Sequence, residues 1–119
     1  MGYTPNHHCI DYIEIAATDL AAVKTFFSGL FGWTFTDYGP DYTAFEDGRL
    51  AGGFHRVAPD ELPPKGPVLV VFFSEDLRAT QASAEKLGAT ISVPVFEFPG
   101  GRRFHFLGPD KIEYAVWSR

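Results

Sequence analysis

Two carboxylates, a phenol and four histidines carry most of the chemistry open to this chain. Tyr12 and Glu14 lie two residues apart in the alternating run YIEIAA, so a strand there turns both to one side. Tyr12 could donate to a bound oxyanion or carbonyl; the plainer account is a packed tyrosine with its hydroxyl at a rim. Glu14 is costly to bury unpaired, so it is either solvated in a pocket or partnered. Glu113 precedes the apolar run YAVW, where it either orients a polar ligand and acts as a base or pairs with a neighbouring cation. His55 and His105 each fall in an expected strand, where a single histidine more often completes a hydrogen bond than binds an ion. His7-His8-Cys9 sets soft donors in a row, but neighbours on an extended chain point to opposite sides and enclose no single ion. Nothing in the sequence arranges a base to activate Cys9 as a nucleophile.

The elements that position these residues follow from periodicity. Leu20, Val23, Phe27 and Leu30 recur at helical spacing, Thr18 or Asp19 can cap the first turn, and Gly32 can close the last. The segment IEIAATDLAAVKTFFSGLFGWTF therefore reads strand, helix, strand, with the strand over Cys9–Ala16 and the helix over Leu20–Phe31. Strands follow at Trp33–Asp37, Tyr42–Glu46 and Leu50–His55, with an Asp47-Gly48 hairpin turn between the last two. VVFFSEDLRATQASAEKLGATI repeats the plan about 57 residues later, with Asp76 and Gly88 echoing Asp19 and Gly32. The second copy comprises a strand at Val68–Phe73, a helix at Leu77–Leu87, a strand from Thr90 that Pro94 interrupts, and strands at Arg103–Leu107 and Ile112–Trp117. The expected class is α+β, with two tandem βαβββ modules whose curved mixed sheets surround a cup. Module 1 spans about 7–57 and module 2 about 68–119, within one domain of 1–119; the proline-rich stretch at about 58–67 is a linker with no regular element.

Composition bounds the rest. A net charge of −5 and a pI near 5.2 exclude a nucleic-acid protein, since phosphate binding needs concentrated positive charge. Arg102–Arg103, the only adjacent basic pair, reads as solvated loop charge. No apolar run approaches the roughly 20 residues that span a bilayer, so no membrane partner is expected. The first dozen residues lack the basic start and apolar core of a signal peptide, and a single cysteine excludes an internal disulfide framework. The cytoplasm is the expected compartment. Twelve phenylalanines point to an aromatic interior or pocket.

The doubled unit and the ending FHFLGPDKIEYAVW resemble the vicinal oxygen chelate superfamily, which includes glyoxalase I, bleomycin-resistance proteins, fosfomycin-resistance enzymes and extradiol dioxygenases. The resemblance covers nearly the whole chain. It implies a homodimer, and in the family's metal enzymes a divalent ion held by the first and last strands of each module. Those positions fall here on Tyr12, on Leu69, on Glu113 and near Gly53–His55. Leucine cannot coordinate a metal and a phenol is a poor ligand beside a lone carboxylate, so no metal or other cofactor is expected. The family register also places Val71 and Phe73 with Leu69, and Trp117 with Glu113, on one face.

The expected function is binding of a small hydrophobic or aromatic molecule by Tyr12, Glu14, His55, Leu69, Val71, Phe73, Glu113 and Trp117, with Glu113 and Tyr12 the best catalytic candidates. One alternative is a lyase, isomerase or dioxygenase with a rearranged metal site of Glu113, Glu14 and His55. Another is an interaction module that binds no ligand.

Overall fold

The computed structural model describes residues 5–63, 66 and 68–119. Residues 1–4 of the expected arm and 64, 65 and 67 of the expected linker lie outside them. The chain forms two compact units that divide between residues 63 and 64, within the expected linker.

In the first unit the order is β1 (Tyr12–Ala17), α1 (Leu20–Phe31), β2 (Thr34–Asp37), β3 (Tyr42–Glu46) and β4 (Ala51–Arg56). The sheet order is β1-β4-β3-β2, with β1 and β4 parallel and the other pairs antiparallel. Helix α1 has the bounds its periodicity predicts. The Asp19 carboxylate accepts from the Ala22 N–H at 3.1 Å, and Gly32 ends the helix at φ 73°, where a side chain would be strained. Its buried face of Val23, Phe26 and Phe27 meets an aromatic layer. Phe27 stacks on Trp33 at 4.6 Å, Trp33 on Phe45 at 4.3 Å, and Phe27 lies 5.7 Å from Phe54. Each such ring taken from water contributes about 1.5–3 kcal/mol, so this layer fixes which sheet face the helix covers.

The second unit repeats the order: β5 (Val70–Phe73), α2 (Leu77–Lys86), β6 (Thr90–Phe98), β7 (Gly101–Leu107) and β8 (Glu113–Ser118), with sheet order β5-β8-β7-β6. Asp76 caps α2 as Asp19 caps α1, accepting from the Ala79 N–H at 3.1 Å. The helix buries Leu77 and Ala84 and lies against β6, β7 and β8. Phe104, Phe106, Tyr114 and Val116 are at most 1% exposed.

Several expected boundaries shift. The first strand begins at Tyr12, not Cys9, because its parallel partner begins only at Ala51, beyond the Asp47–Leu50 turn. The fifth begins at Val70 for the same reason, pairing first with Tyr114. His7 and His8 do not diverge along an extended chain: His8 has φ 67° and the two rings stack at 3.7 Å. The linker does contain a regular element, one 3-10 turn at Pro59–Glu61. The Glu61 N–H donates to the Ala58 carbonyl at 2.8 Å, its carboxylate accepts from the Ala58 N–H at 2.9 Å, and the fixed φ of Pro59 suits a first helical position.

Pro94 does not interrupt its strand either. It sits in β6, an edge strand, where a missing N–H costs little, and the ladder to β7 shifts register on both sides of Val93. Val93 pairs with His105 and Phe96 with Arg103, so one extra residue lies in β6 between the two pairs. That bulge returns Phe96 to the face that Val93 occupies.

Tyr114 is 1% exposed and stacks on Phe106 at 5.4 Å. Burial first, and the Asp110 charge second, push its phenol above the ordinary tyrosine range. The unfolded chain therefore loses this proton first as pH rises. Stability should be unaffected by Tyr114 below pH of about 10 and fall above it, by up to about 1.4 kcal/mol per pH unit from this residue. Urea unfolding of Tyr114→Phe, which keeps the ring stack, should show a shallower alkaline decline; an unchanged slope would contradict the assignment.

Candidate functional site

One helix covers one face of each sheet, and the site residues expected from sequence lie on the other. In module 1 the register sets Tyr12 opposite Ala51, Glu14 opposite Gly53 and Tyr42 opposite His55, all on the helix-free face. The Tyr12 and Tyr42 hydroxyls lie 2.6 Å apart, and Tyr42 donates to Glu14 Oε2 at 3.0 Å. With the Tyr42 proton committed to Glu14, Tyr12 must be the donor to Tyr42. Burial first, then the bonds to Tyr12 and Glu14, raise the Tyr42 phenol above its ordinary range. His55 Nδ1 is buried without a hydrogen-bond partner.

Glycines make room for this arrangement. A Cβ on Gly53 would collide with the Tyr42 ring and hydroxyl and lie 2.9 Å from the Tyr12 hydroxyl. On Gly52, one residue earlier and on the opposite face, it would collide with the Phe45 ring. The pair thus lets aromatic side chains lie directly on the backbone of β4 from both sides.

In module 2 the helix-free face carries Val71 and Phe73 from β5, Ala115 and Trp117 opposite them on β8, and His105 and Arg103 opposite those on β7. Phe73 meets Trp117 edge-on at 5.0 Å, and Phe98 meets Trp117 at 6.3 Å. The Arg103 guanidinium lies 5.5 Å from the Phe96 ring and 5.9 Å from the Phe98 ring, and its Nε is buried without a partner. Arg119 lies 5.2 Å over Phe73. Leu69 immediately precedes β5 and is half-buried. Farther along the same face, Glu113 Oε2 receives the Ser92 hydroxyl at 3.0 Å and lies 3.1 Å from His105 Nδ1.

The structure thus groups Tyr12 with Glu14, and Val71, Phe73, Glu113 and Trp117 on one face. Sequence reasoning missed Tyr42, Ser92, Phe96, Phe98 and Arg103. Arg103 is not solvated loop charge: it lies within β7 and is half-buried against two rings. For Phe96 the available signal was Pro94, whose bulge sets it on the face of Val93; Ser92 lies at a separate register shift between Ile91 and Val93.

A family model for the Glyoxalase/Bleomycin resistance protein/Dioxygenase superfamily matches residues 9–116. The chain belongs to that superfamily. It is 29% identical over 126 residues to the anthracycline biosynthesis protein DnrV of Streptomyces peucetius, and equally to DauV of another Streptomyces. Each match covers 91% of this chain and 46% of the relative, so the chain spans about half the length of these curated relatives. Among solved structures, a glyoxalase/bleomycin resistance protein/dioxygenase family enzyme of Burkholderia phytofirmans superposes with a TM-score of 0.79 at 17% identity, covering 91% of this chain and 96% of that one. The fosfomycin resistance protein FosX of Listeria monocytogenes superposes with a TM-score of 0.78 at 17% identity, covering 93% of each. At such identities the superpositions show a shared fold.

The residues present do not fit the divalent ion of the family's metal enzymes. The Tyr12 hydroxyl bonds to Tyr42, Leu69 offers no donor atom, and Glu113 Oε2 already receives Ser92 and faces His105. Among the described residues, no group of three or more His, Cys, Asp and Glu side chains could hold an ion.

Gly53→Val should force Tyr42 off β4, with an overpacking cost of about 1–3 kcal/mol. Adding Tyr42→Ala removes the obstacle, so urea denaturation should show the double variant recovering part of that loss. Strictly additive costs would mean that the two residues do not share this space.

Proposed function

We propose that this chain binds a hydrophobic or aromatic small molecule on the helix-free face of module 2, without a resident metal. The observation that supports it is the aromatic group of Phe73, Phe96, Phe98 and Trp117, with Arg103 against two of the rings. Val71 and Phe73 are 42% and 44% exposed, so this apolar surface is not spent on the chain's own core. A planar aromatic ligand would stack on the rings, and Arg103 would meet its oxygen substituents with the donor that has no partner in the protein. The two Streptomyces relatives named for anthracycline biosynthesis favour a polycyclic aromatic over an aliphatic ligand. The homodimer belongs to the same reading, with the second copy covering whatever part of Val71 and Phe73 the ligand leaves.

The test uses alizarin, a planar hydroxyanthraquinone. Trp33 is buried in the module 1 core, so quenching on titration should arise from Trp117 and disappear in Trp117→Phe. At 100 times its Kd the ligand should add about 2.7 kcal/mol of stability, visible as a raised Tm. Neither quenching nor a shift would favour a module that acts through macromolecular contacts.

A further inference from the structure

The geometry points to a second capability on this face: Glu113 and His105 form a carboxylate–histidine dyad that serves as a general base toward an aromatic ketone, with Arg103 stabilising the enolate. This rests on the binding reading above. Glu113 Oε2 lies 3.1 Å from His105 Nδ1, and an ionised carboxylate only accepts, so Nδ1 must carry the hydrogen. In the neutral ring the lone pair then belongs to Nε2, which is buried and has no partner in the protein. Leaving such an atom unpaired costs about 1–3 kcal/mol, a cost expected where a ligand completes the bond. Ser92 donates to the same Glu113 oxygen at 3.0 Å, which fixes the carboxylate that fixes the ring.

Arg103 sits two residues earlier on the same face of β7, with Cα atoms roughly 7 Å apart for this strand spacing. Its buried Nε–H is also unpartnered. One strand therefore carries a base and a donor side by side, adjoining Phe96 and Trp117. Nε2 would take a proton from the carbon beside the carbonyl. The C–H electron pair becomes the new C=C bond, and the carbonyl π pair moves to the oxygen facing Arg103. Returning the proton to carbon restores the ketone, and delivering it to oxygen gives the enol. No oxidant or other co-reactant is needed. The substrate class is an aromatic ketone with a C–H beside its carbonyl.

The probe is phenylpyruvate in deuterium oxide, with loss of its benzylic proton signal followed by NMR and its binding followed by Trp117 fluorescence. The intact chain should accelerate exchange at least tenfold over buffer. His105→Gln should return the rate to that of buffer with binding retained. Glu113→Gln, which can still hold the ring by hydrogen bonding, should slow exchange at least tenfold at unchanged affinity. Imidazole nitrogen NMR of the intact chain should show His105 protonated at Nδ1 and bare at Nε2, a signature that a merely packed histidine need not give. Binding without exchange, exchange that survives both substitutions, or a proton on Nε2 in the neutral ring would each overturn the dyad while leaving the binding reading intact. Absence of phenylpyruvate binding would overturn the dyad's substrate class, with alizarin quenching still deciding the binding reading.

Discussion

One helix can cover only one face of a four-stranded sheet, and everything functional in this chain depends on that. In each module an apolar layer beneath the helix supplies the stabilising burial: Phe27, Trp33, Phe45 and Phe54 in the first, Phe104, Phe106, Tyr114 and Val116 in the second. The opposite face is thereby released from the core. It can hold groups that a core would exclude, such as a tyrosine pair bonded to a carboxylate, or an arginine beside a histidine with an unpaired nitrogen. The two faces are separated by the alternation of the strand itself, so core packing and site chemistry can vary almost independently.

The modules share this plan and spend it differently. In module 1 the free face is polar and close to the backbone, because Gly53 admits the Tyr42 ring where any side chain would block it. In module 2 it is aromatic, and a bulged edge strand builds it. Without the extra residue around Pro94, Phe96 would lie on the helix side and Arg103 would have no ring beneath it from that position. A proline that looks like a strand breaker acts instead as the device that changes which face its neighbours occupy.

This explains what could be read in advance. Helix α1 was legible to the residue because its apolar spacing, its Asp19 cap and its terminal Gly32 are all local signals. The repeat was legible because those signals recur. Strand starts were not, since β1 begins where β4 offers it a partner, and β4 lies more than thirty residues away in sequence. Of the shared faces, those of Tyr12 with Glu14, Val71 with Phe73 and Glu113 with Trp117 followed from parity along single strands. Tyr42, Ser92, Phe96 and Arg103 did not, because each reaches its partners through a cross-strand pairing or a register shift that no local pattern encodes.

The two faces also differ in what they lack. In module 1, Tyr12 donates to Tyr42 and Tyr42 to Glu14, so the strong donors satisfy one another and the cluster presents spare acceptor capacity. In module 2 one carboxylate oxygen of Glu113 takes both Ser92 and His105, while Arg103 keeps a donor without a partner. Module 2 thus keeps both a donor on Arg103 and an acceptor on His105 without partners, whereas the hydroxyls of module 1 are spent on one another. Glu113, which the family resemblance sets at a ligand position, here contacts both Ser92 and the His105 ring.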